Sequence, residues 1–288
     1  MALDQVDIDD YDFDEEGKLK PKNEEEMSFF DHLEEFRWHI IRSMIAIIVV
    51  AIGLFIAKNF VFDTLILGPK NVDFFSYRVI CSLSNLIGLG DAMCFTPVKF
   101  ELMTTGMGEA FLMHVKVSLI LGFIMAFPFV FWEFWKFIKP GLYQEEQKSV
   151  RGIVFICSIL FFIGVCFGYF IISPFAVNFL AGYEIEGVAN KVTLESMVNY
   201  MVMFTAPAGL IFELPVVVYF LSKVGLLTPE FMKQYRRHAI VGILAVSAII
   251  TPPDITTQFL IGIPLYILYE ISIGISARMA KKYEESLN

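Results

Sequence analysis

Between Met201 and Leu221 the chain reads MVMFTAPAGLIFELPVVVYFL, and Glu213 is its only charged residue. Some twenty apolar residues are enough to cross ~30 Å of hydrocarbon. A charge near the centre of such a segment costs at least ~2.5–3.5 kcal/mol unless it faces protein or a wet cavity. The run therefore constrains the chain to a membrane, and Glu213 becomes a candidate functional group. It could contact a polar group on an incoming helix or carry a proton, and the residues alone do not separate these roles. The composition agrees: 56% of residues are apolar, above the ~45–50% of soluble domains.

Five further stretches have the same character, giving expected spans at 40–62, 107–137, 152–180, 197–222, 238–251 and 255–275. Pro128, Pro207 and Pro215 predict kinks in the second and fourth. Basic residues gather on alternate connections. Arg37 and Arg42 precede the first span, and Lys136, Lys139, Lys148 and Arg151 surround the connection after the second. Lys223, Lys233, Arg236 and Arg237 follow the fourth, and Arg278, Lys281 and Lys282 close the chain. By the positive-inside bias both termini lie in the cytoplasm. Trp132, Trp135 and Tyr143 are expected in an aromatic belt, Lys116 is expected to snorkel to the outer headgroups, and Glu133 to pair with Lys136 at i,i+3. Glu270 is expected near the inner end of the sixth span.

The last two spans are short. Ala239 to Ile250 rises only roughly 18 Å, and Thr251-Pro252-Pro253-Asp254 then breaks the helix, with Asp254 placed to cap the next one. A hairpin this short thins the bilayer or leaves its turn in a wet pocket. The expected architecture is an all-α integral membrane protein, a concave bundle of six transmembrane helices over residues 27–282. Residues 1–26 hold eleven acids against Lys18, Lys20 and Lys22, almost all of the net charge of −9. Such a tail cannot form a core and is expected to be a solvated, disordered extension; 283–288 form a short C-terminal tail. With no basic and apolar leader ahead of it, the first span is expected to be retained.

Motifs for chemistry are missing from the sequence: no GxxxxGK[ST], HExxH, CxxC or GxSxG occurs. His32, His39, His114 and His238 have no metal-ligand spacing. No enzyme activity, metal, cofactor or nucleic-acid partner is expected. Cys81 and Cys94 share the first external connection, where oxidising conditions favour a disulfide; Cys157 and Cys166 are expected to be reduced fillers inside the third span.

Four segments, in order, resemble one family. Phe30-Asp31-His32-Leu33-Glu34-Glu35-Phe36-Arg37 is similar to the HLxELR entry of TatC, the multi-spanning receptor of the twin-arginine protein translocase. Trp135 to Glu146, WKFIKPGLYQEE, resembles its first cytoplasmic loop. Phe212-Glu213-Leu214-Pro215 resembles the FExP of its fourth span, and Thr251-Pro252-Pro253-Asp254 with Gln258 resembles TPPDxxxQ. The likeness runs from about Met27 to Lys282. The chain departs from the family at His39, where a second basic residue is usual, at Phe36 in place of leucine, in the acidic tail and in a longer first external loop.

The resemblance implies a receptor in the bacterial cytoplasmic membrane that recognises twin-arginine signal peptides and nucleates a translocase for folded proteins, driven by the proton-motive force. It implies that Glu35 and Glu146 receive the paired arginines, with Phe137 beside them and Arg37 orienting Glu35 or anchoring the helix. Carboxylates suit guanidinium groups because the pairing is bidentate. It further implies that Glu213 and Gln258, with Asp254 in the same motif, contact single-span subunits of the TatA/TatB type, and that copies of the chain associate. The rival reading is a proton-coupled secondary transporter using Glu213, which calls for internal repeats and a polar midplane pocket; neither is visible in the sequence.

Overall fold

The computed structural model describes residues 11–13, 19–21, 29–71, 74–86, 98, 100–138, 150–183, 185–187, 190–250 and 255–287. Within the acidic extension, β1 (Tyr11–Phe13) pairs antiparallel with β2 (Leu19–Pro21), Asp12 opposite Lys20. The extension expected to lack structure thus carries one short ladder. The other named elements are helical, and Met103 and Thr193 form one isolated parallel bridge.

The first apolar segment forms α1 (Phe29–Ile56) and ends in a π-helical turn, Phe60–Ile66, and a 3-10 turn, Gly68–Lys70, that Pro69 pre-shapes. The first connection, expected as a long loop, contains α2 (Phe75–Leu86). Tyr77 anchors it by donating its hydroxyl to the Pro69 carbonyl at 2.9 Å, and burial pushes that hydroxyl's pKa up to about 12. The second segment forms α3 (Glu109–Ile138), which runs through Pro128 without interruption. The third forms α4 (Val150–Phe167), a π-helical turn at Gly168–Ile172, and α5 (Ser173–Gly182).

The fourth segment is two helices. Thr193 caps α6 (Leu194–Ile211) by accepting from Ser196 N, and α7 (Leu214–Lys223) begins after a break at Phe212-Glu213. Pro215 explains the break: it has no N–H for the Ile211 carbonyl, and its ring would clash there in a continuous helix. Pro207, by contrast, is absorbed inside α6. After α8 (Pro229–Gln234), capped by Thr228, come α9 (Arg236–Ile250) and α10 (Ile255–Leu287).

Among the described residues, five stretches are long and apolar enough to cross a membrane: Leu33–Ile56, Glu109–Ile138, Gly152–Gly182, Leu194–Lys223 and Thr257–Lys281. The fifth of the six expected spans corresponds to α9, whose 15 residues rise roughly 22 Å. It is the short member of the set; the sixth span, expected to be short as well, is instead α10, 33 residues long.

Small residues set the closest helix contacts, as expected where lipid supplies no hydrophobic drive between helices. A Cβ on Gly122 would stand 2.9 Å from the Ile47 carbonyl of α1, and one on Gly164 would stand 2.6 Å from the Ala208 carbonyl of α6. Around these contacts Phe127 and Phe161 stack with centroids 3.6 Å apart. Val61, Met113, Val177 and Met201 form one apolar cluster; Ile172, Phe204, Ala208 and Leu265 form a second. Ile45, Val49, Ile52 and Ile56 remain exposed along α1, an apolar stripe suited to lipid. The start of α1, the end of α3, the start of α4, the end of α7 and α8 share one end of the bundle, hereafter the basic face.

Candidate functional site

Polar groups cluster where α1 enters and α3 leaves the bundle. His39 is buried on α1, and its Nδ1 lies 2.6 Å from Glu133 Oε2 of α3. Glu133 is only 2% exposed. Its second oxygen accepts from Lys136 Nζ at 3.0 Å, and Arg42 stands 3.8 Å away. The expected i,i+3 pair of Glu133 and Lys136 is present, but as the outer edge of a larger group. A buried carboxylate is tolerable only with such compensation.

Glu35 sits on the exposed side of this group, 41% accessible, with its carboxylate 3.8 Å from His39 Nε2. Phe137 closes the other side: its ring lies 4.7 Å from Phe36 and 6.4 Å from His39. Of the expected peptide-binding residues, Glu35 and Phe137 thus flank the same histidine. Arg37 points to solvent and makes no ion pair among the described residues. Glu146 lies outside the described residues, as does Asp254. Trp135 corrects the aromatic-belt expectation: it is 3% exposed and packs against Phe220, centroids 4.7 Å apart. Trp132 does face outward enough for Lys136 to cover its ring at 5.6 Å. Tyr143 lies outside the described residues.

Glu213 occupies the break between α6 and α7. It is 9% exposed, and among the described residues neither carboxylate oxygen meets a partner with hydrogen-bond geometry. Beside it is the buried thiol of Cys157 on α4. The break follows from Pro215, so the same short motif supplies both the charge and the interruption that positions it. Gln258, the other intramembrane polar candidate, donates to the Leu244 carbonyl at 3.2 Å and ties α10 to α9.

At the opposite end of the bundle, Lys116 does not snorkel. It donates to Asn199 Oδ1 and joins α3 to α6. Glu109 accepts from the amides of Thr105 (2.6 Å) and Gly106 (3.0 Å) with one oxygen and from the amide of Glu195 (3.2 Å) with the other. Those hydrogen bonds to the charged form hold its charge in place at the helix start. Glu270 accepts from Arg236 at 2.8 Å and from the Tyr266 hydroxyl at 2.9 Å, so it too serves the α9–α10 pair. Cys81 is disulfide-bonded, Cys157 and Cys166 are free thiols, and Cys94 lies outside the described residues. Cys157 is the expected buried filler, whereas Cys166 faces outward.

Sequence reasoning missed the His39–Glu133 pair. The signal was a carboxylate in a mostly apolar helix, and nothing local names a partner 94 positions away.

Fold and site together define a multi-pass helical membrane protein whose polar groups hold helices and present a charged end face. Residues 31–264 match the family described as Sec-independent protein translocase protein (TatC). A TatC of a Blattabacterium from Periplaneta americana is 38% identical over 91% of this chain and 99% of its own length. One from Desulforapulum autotrophicum is 36% identical over 92% and 89%. A crystal structure of the twin-arginine translocase receptor TatC superposes with a TM-score of 0.65 at 31% identity, covering 86% of this chain and 99% of the other. The chain belongs to the TatC family. It is a component of the Sec-independent twin-arginine translocase, a protein-transport machinery that works as a complex.

Proposed function

We propose that this chain is the signal-peptide receptor of its translocase. The group around His39 is the floor of the site, with Glu35 and Glu146 as ligands for the two arginines and Phe137 as an apolar wall. Arg37 anchors the entry helix at the headgroups. The observation that carries the reading is that a half-exposed carboxylate, Glu35, and an aromatic ring, Phe137, stand on either side of one buried histidine. The polar connection that contains Glu146 begins directly after that ring. A charge pair at such an interface is worth more than one in open water.

In this reading the chain lies in the bacterial inner membrane with six crossings, α9 the short fifth and α10 the sixth, and both termini in the cytoplasm. The basic face is then the cytoplasmic one, in keeping with the positive-inside bias. Glu213, buried at the break between α6 and α7, accepts a polar group from a single-span TatA/TatB-type subunit. Gln258 and Asp254 extend that contact along the hairpin, and further copies of the chain join the assembly. Transport of folded cargo draws on the proton-motive force.

Photocrosslinking from positions 35, 137 and 146 tests the receptor role. A twin-arginine signal peptide is expected to label all three, and its twin-lysine variant to label them far less. Equal labelling by both peptides removes the proposal.

A further inference from the structure

An apolar groove of about 640 Å³ runs along the outside of the bundle between α4, α7 and α10. Ile156 and Ile163 form one wall, Pro215 and Val216 the floor, and Ile271 and Ile275 the other wall. It extends from Gly152 at the basic face to Ile163 near mid-bundle, roughly 16 Å along α4. The lining is almost wholly apolar, which suits a flexible hydrocarbon chain.

The end of the groove at the basic face is polar and cationic. Tyr219 lines it, and the hydroxyls of Ser222 and Ser276 bridge α7 to α10 at 2.8 Å just beyond. Arg278 is exposed one turn past Ile275 on the same stripe of α10, and Lys223 follows Tyr219 by one turn on α7. An acyl-chain slot that opens under two cations matches an anionic phospholipid. Basic pockets between transmembrane helices bind such headgroups.

We propose that this groove is a binding site for an anionic phospholipid, with an acyl chain between α4, α7 and α10 and the phosphate at Arg278 and Lys223. The site neither uses nor requires the peptide-binding group at His39. Its occupant supports the outer flank of α7, whose first residues position Glu213.

The test is native mass spectrometry of the full chain, extracted in mild detergent from vesicles of equimolar phosphatidylglycerol and phosphatidylethanolamine. Phosphatidylglycerol is expected to be retained preferentially. Arg278→Gln should reduce that preference about fivefold, the effect of one cation at a membrane surface. Ile156→Trp, which fills the slot, should reduce retention of both lipids. Arg78→Gln, on α2 at the opposite end, should change nothing. Thermal unfolding checks that each variant is folded, and Arg278→Gln, at an exposed position, keeps the test valid if Ile156→Trp is not. Equal retention of the two lipids, an unchanged preference in Arg278→Gln, or crosslinks placing a protein segment along the groove would overturn the proposal.

Discussion

His39 of α1 and Glu133 of α3 meet at 2.6 Å inside the bundle, linking the entry helix to the helix whose last turn holds Phe137. Each is nearly inaccessible, so neither can exchange its partner for water. Removing one leaves the other stranded. Glu133→Ala is expected to lower stability by about 1–3 kcal/mol, the penalty for a buried polar group that loses its partner. His39→Ala should cost a similar amount. The double variant should cost less than the two single losses together, because no stranded group remains. Thermal unfolding in detergent reads all three, and strict additivity would show that the pair is not coupled.

Among the described residues Glu213 meets no partner with hydrogen-bond geometry, so its charge is carried at a cost to the fold. Glu213→Gln keeps the shape and reduces the desolvation penalty. Its melting temperature should equal or exceed that of the parent. Co-purification with single-span subunits should fall in Glu213→Ala while signal-peptide crosslinking persists. A marked loss of stability in Glu213→Gln would mean that the carboxylate is held by a group not accounted for.

The α4–α6 contact depends on Gly164. A Cβ there would stand 2.6 Å from the Ala208 carbonyl and 2.8 Å from Phe212. Gly164→Val is expected to destabilise by about 1–3 kcal/mol or more through overpacking. Gly53→Ala, where a Cβ meets nothing within 4 Å, is the control and should be close to neutral. Thermal melts of the two side by side separate local clash from general loss of glycine.

Gln258 ties α10 to α9 through the Leu244 carbonyl. Gln258→Leu should cost about 1 kcal/mol, the ordinary worth of one such bond. Hydrogen exchange should rise around Leu244 and Gln258 and remain unchanged along α1 and α3. Uniform exchange changes would argue that the hairpin is not held locally.

The disulfide at Cys81 is expected to pair with Cys94. Alkylation of the native chain should reach Cys166 and spare the buried Cys157; under denaturing conditions intact mass should show two adducts, with two more after reduction. Alkylation of Cys81 before reduction would exclude the bridge.

The apolar runs specify helices long enough for a membrane, because hydrocarbon demands length and internal hydrogen bonding from every crossing segment. Pro215 beside Glu213 marks where the fourth run breaks, since a missing N–H is a local property. Four short motifs in order are enough to indicate the family. The pairings were not legible in the same way. Lys116 looked like a headgroup anchor and instead meets Asn199; Trp135 looked interfacial and is buried against Phe220. His39, the position where the family motif is altered, finds its partner on another helix. Periodicity and composition act along one helix, whereas which side chains face each other depends on how close two helices come. That distance is set by contacts such as Gly122 on Ala51 and Gly164 on Ala208, and it exists only once the bundle is assembled.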